Sequence, residues 1–347
     1  MHMANELLTP GVAAGFIGVT AAGIGYSSWR MRKTMDESKI PLMGVMGAFV
    51  FATQMVNFQI LPGSSGHLGG GVLLAILLGP AAGTLVMSAI LIVQCLVFND
   101  GGLLALGANI FNMGILPCYL GYGIYRLILG KGEAISSGRL YLSCFVATFL
   151  GMLAGAVMVP VQVALSGVSA VPFGKFFAVM VGVHIIIATV EGAVTFAVVL
   201  FIHQMRPSLV LKGAQVEGMM SRGAVIVTIL LVALVTGAFL SLIACGLPDG
   251  LEYVLGDQER AQENKLVLDK VVVDESKVPK SVTAVTEFQD RVSPLPDYSK
   301  RVNEGQEAGA GWTSLSGIVG SLIVLAIMYG VAMLLRQRKK AATAEQG

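Results

Sequence analysis

The chain has 347 residues, of which 55% are hydrophobic and 13% are charged, and its formal net charge is +2. A soluble domain carries about a quarter charged residues, so this composition excludes an ordinary soluble globular protein, and the small net charge gives no indication of a nucleic-acid partner. Several apolar runs reach about 20 residues, the length that crosses the roughly 30 Å hydrocarbon core of a bilayer. The sequence therefore predicts an all-α, polytopic helical membrane protein.

Eight apolar runs follow one another along the chain. They lie at 10–29, 41–58, 69–98, 103–129, 138–166, 174–203, 223–245 and 313–335. Lysine and arginine cluster after the first run, near residue 130, near residue 212 and after the last run. Such clusters mark the cytoplasmic side of a membrane, so the N-terminus is predicted to lie outside and the C-terminus inside.

The third run, 69–98, must start and finish on the outer side if this orientation holds. It is therefore predicted to form two short passes or a re-entrant pair, with a break at Gly79-Pro80, because proline removes a backbone donor and disfavours a continuous helix. We predict seven passes up to residue 203 and two more beyond it, nine in all.

The segment 246–312 differs from the rest of the chain because it holds thirteen acidic and eight basic residues. It lies between the last two apolar runs and is predicted to be a small, partly extended extracytoplasmic piece. We divide the chain into a membrane bundle at 1–203, a cytoplasmic linker at 204–222 and a separate module at 223–347.

Two histidines stand in unusual settings: His2 follows Met1 in "MHMANELLTP", and His67 lies in "PGSSGHLGGG". The amine of Met1, the peptide nitrogen of His2 and its ring Nδ1 can chelate one cation, and His67 on the same membrane face can supply a fourth nitrogen. Nickel(II) and copper(II) favour such tetragonal nitrogen coordination. No removable signal peptide is evident, so we expect Met1 to persist. Alternatively, His2 lies on a frayed terminus and His67 in an exposed loop, and the spacing alone does not decide.

If His67 binds an ion through one ring nitrogen, the other nitrogen needs a polar partner. Six side chains are candidates for this role: Gln54, Asn57, Ser64, Ser65, Gln94 and Asn109.

Four other ionisable residues have two interpretations each. His184 and Glu191 share one helix face and form either a proton relay or metal exit step, or a structural polar pair, and we favour the latter. Asp100 is a metal carboxylate or, as we favour, a loop-stabilising residue. Asp249 and Glu252 either attract cations or mark the start of a helix.

Residues 65–114 closely resemble the CbiM/NikM family, the substrate-binding membrane components (S components) of energy-coupling factor (ECF) transporters for cobalt and nickel. The matching elements are "SGHL", "LGP", "Q-x-L-x-F-x-DGG" and "LG-x-N-x-x-NM", at 65–68, 78–80, 94–102 and 106–113. Family members also begin Met-His. "GLPDGLE" at 246–252 resembles the PDGLE module of the accompanying small N subunit, here fused to the S component as in a NikMN protein.

This resemblance implies that Met1, His2 and His67 bind the ion through the amine, the amide and the two rings. It implies capture of nickel or cobalt, as transported substrate, at the outer face of a prokaryotic cytoplasmic membrane. The chain has no GxxxxGK[ST] P-loop, so it is not expected to hydrolyse ATP itself, and it has no HExxH pair, so it is not expected to be an enzyme. ATP hydrolysis is expected on separate ATPase subunits that act through a membrane coupling (T) protein.

Three questions stay open at this point: the transport mechanism, the role of one helix surface and the identity of the ion. The rival function is a self-sufficient, proton-coupled secondary metal-ion transporter, for which His184 and Glu191 are the intramembrane candidates. A stripe of small residues at Ala14, Gly18 and Ala22 permits close helix contact, either with a coupling protein or inside the bundle. Nickel suits a four-nitrogen plane with a deprotonated amide better than cobalt does.

Overall fold

The computed structural model of the chain describes residues 2–34, 39–130, 136–210, 219–263, 265–301, 309 and 311–344. Helices dominate these residues. Six of the described helices are long and apolar enough to cross a bilayer: Pro10–Thr34, Pro80–Phe98, Ser137–Ser166, Phe173–Met205, Arg222–Ile243 and Gly311–Gln337. The prediction of a polytopic helical membrane protein is therefore confirmed, while the count of nine passes and the orientation stay predictions.

The N-terminal bundle contains eight α-helices and two short strands in its described residues. They are α1 (Pro10–Thr34), α2 (Ile40–Gln54), β1 (Phe58–Leu61), β2 (Ser64–Gly66), α3 (Gly71–Leu78), α4 (Pro80–Phe98), α5 (Leu106–Asn109), α6 (Tyr122–Leu129), α7 (Ser137–Ser166) and α8 (Phe173–Met205). Two π-helical stretches, Ile110–Ile115 and Pro117–Gly121, connect α5 to α6.

The second part of the chain begins with one short helix and continues through a described segment between two long helices. Its α-helices are α9 (Pro207–Val210), α10 (Arg222–Ala238), α11 (Gly250–Leu255), α12 (Gln258–Gln262), α13 (Lys280–Val292) and α14 (Gly311–Ala344). Helices α10 and α14 pack against each other and against α2. Helix α2 is therefore enclosed by protein, and nearly all of its residues are buried.

The predicted break at Gly79-Pro80 separates α3 from α4. Gly79 has a φ of 94°, a conformation that favours glycine, and Pro80 begins the next helix. The eight residues of α3 are all buried and span about 12 Å, too little to cross a bilayer. The run 69–98 thus forms one short buried helix and one helix of full length.

A short antiparallel hairpin between α2 and α3 interrupts the helical architecture. Its strands pair Phe58 with Gly66 and Gln59 with Ser65, and the turn uses Gly63 with a φ of 84°. The hairpin ends directly before His67 and gives this residue a defined position instead of a loose loop.

The segment between α10 and α14 packs on the end of the bundle at which His67 lies. Helix α11 contacts α8 and β2, and the backbone nitrogen of Leu295 donates to the carbonyl of Val97 at 3.0 Å. Buried side chains of this segment include Leu251, Val272 and Val282. It is more helical and better packed than the partly extended piece that its composition predicts.

Candidate metal-binding site

The structure brings His2 and His67 together. Their rings are stacked, with centroids 5.2 Å apart and an interplanar angle of 27°. The side chains of His2 and His67 are only 6% and 8% exposed. Met1, the third residue of the predicted site, lies outside the described residues.

The N-terminal segment from His2 onward is anchored in the protein. The backbone nitrogen of Met3 donates to Asn109 Oδ1 at 2.8 Å, and Asn109 Nδ2 donates to the carbonyl of Met3 at 3.1 Å. The side chains of Met3, Leu7 and Leu8 are fully buried. These bonds and contacts are incompatible with a frayed terminus over this segment.

The glycine pair after Asp100 permits this close approach. An added Cβ on Gly102 would collide with the backbone nitrogen of Asn5. The backbone nitrogen of Gly102 donates to the carbonyl of Met3 at 2.8 Å. Glycine is thus required sterically in the "DGG" element, because the N-terminal segment lies directly on its backbone.

The loop that carries His67 is held from two sides. Glu191 in α8 accepts hydrogen bonds from the backbone nitrogens of Gly69 and Gly70, both at 2.8 Å. Ser65, just before the loop, donates through its hydroxyl to the carbonyl of Leu247 at 2.6 Å. The bundle and the C-terminal module therefore both position the imidazole.

A chain of hydrogen-bonded amides runs from the ring of His2 to the backbone of the loop that follows His67. Gln94 Oε1 lies 3.1 Å from Nε2 of His2, and Gln94 Nε2 donates to Gln54 Oε1 at 2.9 Å. Gln54 Nε2 then donates to the carbonyl of Gly69 at 2.7 Å. The ring nitrogen Nδ1 of His67 lies 3.1 Å from the carbonyl oxygen of Leu68.

The remaining predicted polar partners lie near the site in different roles. Asn109 holds Met3, and Ser65 binds Leu247, as described above. Ser64 donates to the carbonyl of Ser65 at 3.3 Å. Asn57 Oδ1 is buried without a hydrogen-bond partner in the part of the chain that the structure describes.

Two carboxylates face the histidine rings, and neither contact has a signature in local sequence. Asp100 Oδ1 lies 3.2 Å from Nδ1 of His2. Asp249 Oδ2 lies 3.6 Å from Nε2 of His67. The "DGG" and "PDGLE" elements identify Asp100 and Asp249 in the sequence, but they do not indicate which histidine each aspartate contacts.

Asp249 also starts helix α11, which agrees with the helix-start interpretation. Its Oδ1 accepts from the backbone nitrogens of Leu251 and Glu252, both at 2.8 Å, and Glu252 accepts in return from the backbone nitrogen of Asp249. This reciprocal arrangement is a capping box. It uses one carboxylate oxygen and directs the other towards His67.

A cavity of about 520 Å³ adjoins both rings. Its described lining contains no lysine or arginine. It contains six carboxylate side chains: Glu6, Asp100, Asp249, Glu252, Asp290 and Asp297. A cleft lined by charges of one sign concentrates ions of the opposite sign. This cavity therefore attracts cations to the two histidines.

Burial lowers the pKa of His2 to about 4, against the opposing effect of Asp100. The ring is thus neutral at pH 7, which is the form that binds a transition metal. Within the described ranges, no three His, Cys, Asp or Glu side chains are grouped so that they could hold an ion. A site made of an amine, an amide and two rings requires only two such side chains.

His184 and Glu191 are both buried in α8, and each has a partner of its own. Nδ1 of His184 lies 2.8 Å from the carbonyl of Met180, whereas Glu191 binds the loop after His67. This division of partners favours structural roles over a relay between the two residues.

Replacing Glu191 by alanine is expected to lower the free energy of unfolding by about 2 kcal/mol. Two backbone donors, of Gly69 and Gly70, lose their acceptor, which costs about 1–3 kcal/mol each, while the lost burial of a carboxylate offsets part of this. Thermal unfolding in detergent measures the change. Thr189→Ala, on the exposed side of the same helix, is the control, and equal stability of both variants would contradict the assigned role.

Family models match two parts of the chain. CbiM, described as a cobalt uptake substrate-specific transmembrane region, matches residues 2–209, and a PDGLE domain matches residues 223–337. A protein of Archaeoglobus fulgidus provisionally named the fused nickel transport protein NikMN is 36% identical over 210 residues, which cover 60% of this chain and 68% of that protein.

Other relatives agree with these matches. The cobalt transport protein CbiM of Ruminiclostridium cellulolyticum is 28% identical over 205 residues, covering 57% of this chain and 81% of that protein. A crystal structure of a truncated transition metal transporter superposes with a TM-score of 0.51 at 29% identity, covering 58% of this chain and 98% of the other. These relatives are named as metal transporters, not as enzymes.

Proposed function

Because the chain belongs to the CbiM family of cobalt-uptake transmembrane proteins and also carries a PDGLE domain, we propose that it is the substrate-capture component of an ATP-driven, ECF-type uptake transporter for nickel or cobalt. The ion is the transported substrate and binds at the outer face of the cell membrane. Its four ligands are the amine of Met1, the amide and ring Nδ1 of His2, and ring Nε2 of His67.

The stacked arrangement of His2 and His67 carries this proposal. Gln94 lies at Nε2 of His2, and the carbonyl of Leu68 lies at Nδ1 of His67. These contacts fix the ring orientations through the nitrogens that the proposed site does not use. Nδ1 of His2 and Nε2 of His67 are then the nitrogens for the ion.

A square-planar nitrogen set suits nickel(II) better than cobalt(II). The amide of His2 must lose its proton to water on binding, which requires a strongly polarising cation. Nickel is therefore the proposed preferred ion, and cobalt the competitor that a titration must include.

The surface of α1 supports coupling to a partner in the membrane. Ala14, Gly18 and Ala22 are all exposed on this helix, and small residues at a four-residue spacing allow another helix to approach closely. We propose this stripe as the contact for the coupling protein. We also propose that bundle 1–203, linker 204–222 and module 223–347 are separate domains of the chain. Residues 211–218 of the linker lie outside the described residues.

Uptake by reconstituted vesicles tests the ATP-driven function. Nickel accumulation is expected only when coupling protein, ATPase subunits and ATP are present. Accumulation by this chain alone in response to a proton gradient would support a secondary transporter and contradict the proposal. A parallel titration of the purified chain is expected to give one equivalent of nickel with the absorption band of a low-spin, square-planar complex.

A further inference from the structure

The C-terminal module contributes one carboxylate directly to the histidine site. We propose that Asp249 is a hand-over ligand: it binds the incoming ion together with Nε2 of His67 and releases it when the four-nitrogen plane closes. This inference rests on the proposed function, since it takes His67 to be a ligand of the ion.

The distance between the two groups fits a shared ion. Asp249 Oδ2 and Nε2 of His67 are 3.6 Å apart. Ring nitrogens and carboxylate oxygens bind a divalent transition metal at about 2.0–2.2 Å. An ion at that distance from both atoms fits between them at an obtuse angle, so the pair can bind it before either group moves.

Asp249 is held in this position by contacts on both sides of its segment. The backbone nitrogen of Ser65 donates to the carbonyl of Pro248 at 2.8 Å. An added Cβ on Gly250 would lie 2.9 Å from Ile187 and 3.0 Å from Val183, so this backbone packs tightly on α8. The carboxylate is therefore positioned by the fold and not by chance contact.

The carboxylate is also accessible to an arriving ion. The side chain of Asp249 is 13% exposed and lines the acidic cavity beside His67. An ion that enters this cavity can reach the carboxylate and Nε2 of His67 together, and the capping box leaves Oδ2 directed towards that ring.

A temporary ligand solves a kinetic difficulty of the proposed site. The N-terminal chelate forms only after the amide of His2 has lost its proton to water, and an ion in solution would diffuse away in that time. Binding by Asp249 and His67 holds the ion next to the amide and makes closure an intramolecular step. The complete plane needs no carboxylate, so Asp249 then releases the ion.

Stopped-flow measurement of nickel binding to the purified full chain tests this role through Asp249→Asn. Asparagine caps a helix as well as aspartate does, so α11 is preserved. The association and dissociation rate constants are both expected to fall by about tenfold. This is the lower end of the effect that residues supporting a metal ligand have on metal affinity or activity. The dissociation constant stays nearly unchanged, because a hand-over ligand accelerates both directions equally.

Three results would overturn the proposal. Unchanged rates would leave Asp249 as a helix cap only, and weaker affinity with faster dissociation would make it a permanent ligand. Asp290 is another acid of the same cavity and accepts a hydrogen bond from Asn99 at 2.8 Å. If Asp290→Asn lost as much rate as Asp249→Asn, the effect would come from the total negative charge of the cavity and not from a ligand. Asp249→Ser, which also retains a capping oxygen, guards against a folding defect of the first variant.

His67→Ala separates this inference from the proposed function. If this variant binds nickel as tightly as the unmodified chain, the four-nitrogen site itself is refuted. If it loses binding while Asp249→Asn keeps its normal rates, only the hand-over role fails.

Discussion

Replacing His67 by alanine is expected to weaken nickel binding by more than about a hundredfold, since even residues that only orient a metal ligand commonly contribute 10–100-fold. The substitution removes one of four proposed nitrogens and leaves the fold intact, because the loop is held through the backbone at Gly69 and Gly70. His2→Ala should have a similar effect, since its amide remains but its ring is lost. Competition with a chelating dye measures both, and the planar absorption band should disappear.

An N-terminal extension provides the complementary variant. Residues added before Met1 convert its amine into an amide nitrogen and should abolish the band, although both imidazoles are unchanged. The matched control is His203→Ala, which removes a histidine from the far end of α8. Nδ1 of His203 has no hydrogen-bond partner among the described residues. Tight, planar nickel binding by the extended protein or by His67→Ala would refute the four-nitrogen site.

The long helices could be predicted from sequence because each is a long apolar run with clear ends. The runs 138–166 and 174–203 correspond closely to helices Ser137–Ser166 and Phe173–Met205. The break before Pro80 was also predictable, since proline acts on the backbone locally. Local chemistry was sufficient in these places.

The hairpin and the π-helical stretches were not predictable in the same way. Strands of four and three residues are too short to show a clear alternation, and their pairing depends on the turn at Gly63. The π-helical stretch Pro117–Gly121 lies inside an apolar run that reads as one ordinary helix. Neither feature has a clear local pattern in the sequence.

The pairing of His2 with His67 in one ion site was predicted from the sequence, although their spacing alone did not decide it. Charge parity placed both on one side, and the chemistry of the N-terminus suggested a shared ion. The positions of Asp100 and Asp249 at the two rings could not follow, because each contact joins segments about 100 or more residues apart. Attraction of cations was one of the two interpretations of Asp249 and Glu252, and both line the cavity beside the site, as do Asp290 and Asp297.

Helix α13 illustrates how the C-terminal module reaches the N-terminal segment. Gln289 on this helix accepts hydrogen bonds from the backbone nitrogen of Leu103 at 2.8 Å and from Asn5 Nδ2 at 3.0 Å. Its amide nitrogen donates to the carbonyls of Gly101 at 2.8 Å and Cys95 at 3.1 Å. One buried side chain thus joins the module, the "DGG" loop and the segment that carries His2.

Gln289→Ala is therefore expected to lower the free energy of unfolding by about 4 kcal/mol, since two buried and two partly buried polar groups lose a partner at about 1–3 kcal/mol each. Nickel should also dissociate faster, because Asn5, in the segment behind His2, loses its hydrogen bond to the module. Thermal unfolding in detergent and the dissociation rate into excess chelator measure the two effects. Glu287→Ala, on the exposed face of the same helix, should change neither. If Gln289→Ala were as stable and as slow to release nickel as that control, the N-terminal segment would not depend on the C-terminal module, and the structural link between module and site would be wrong.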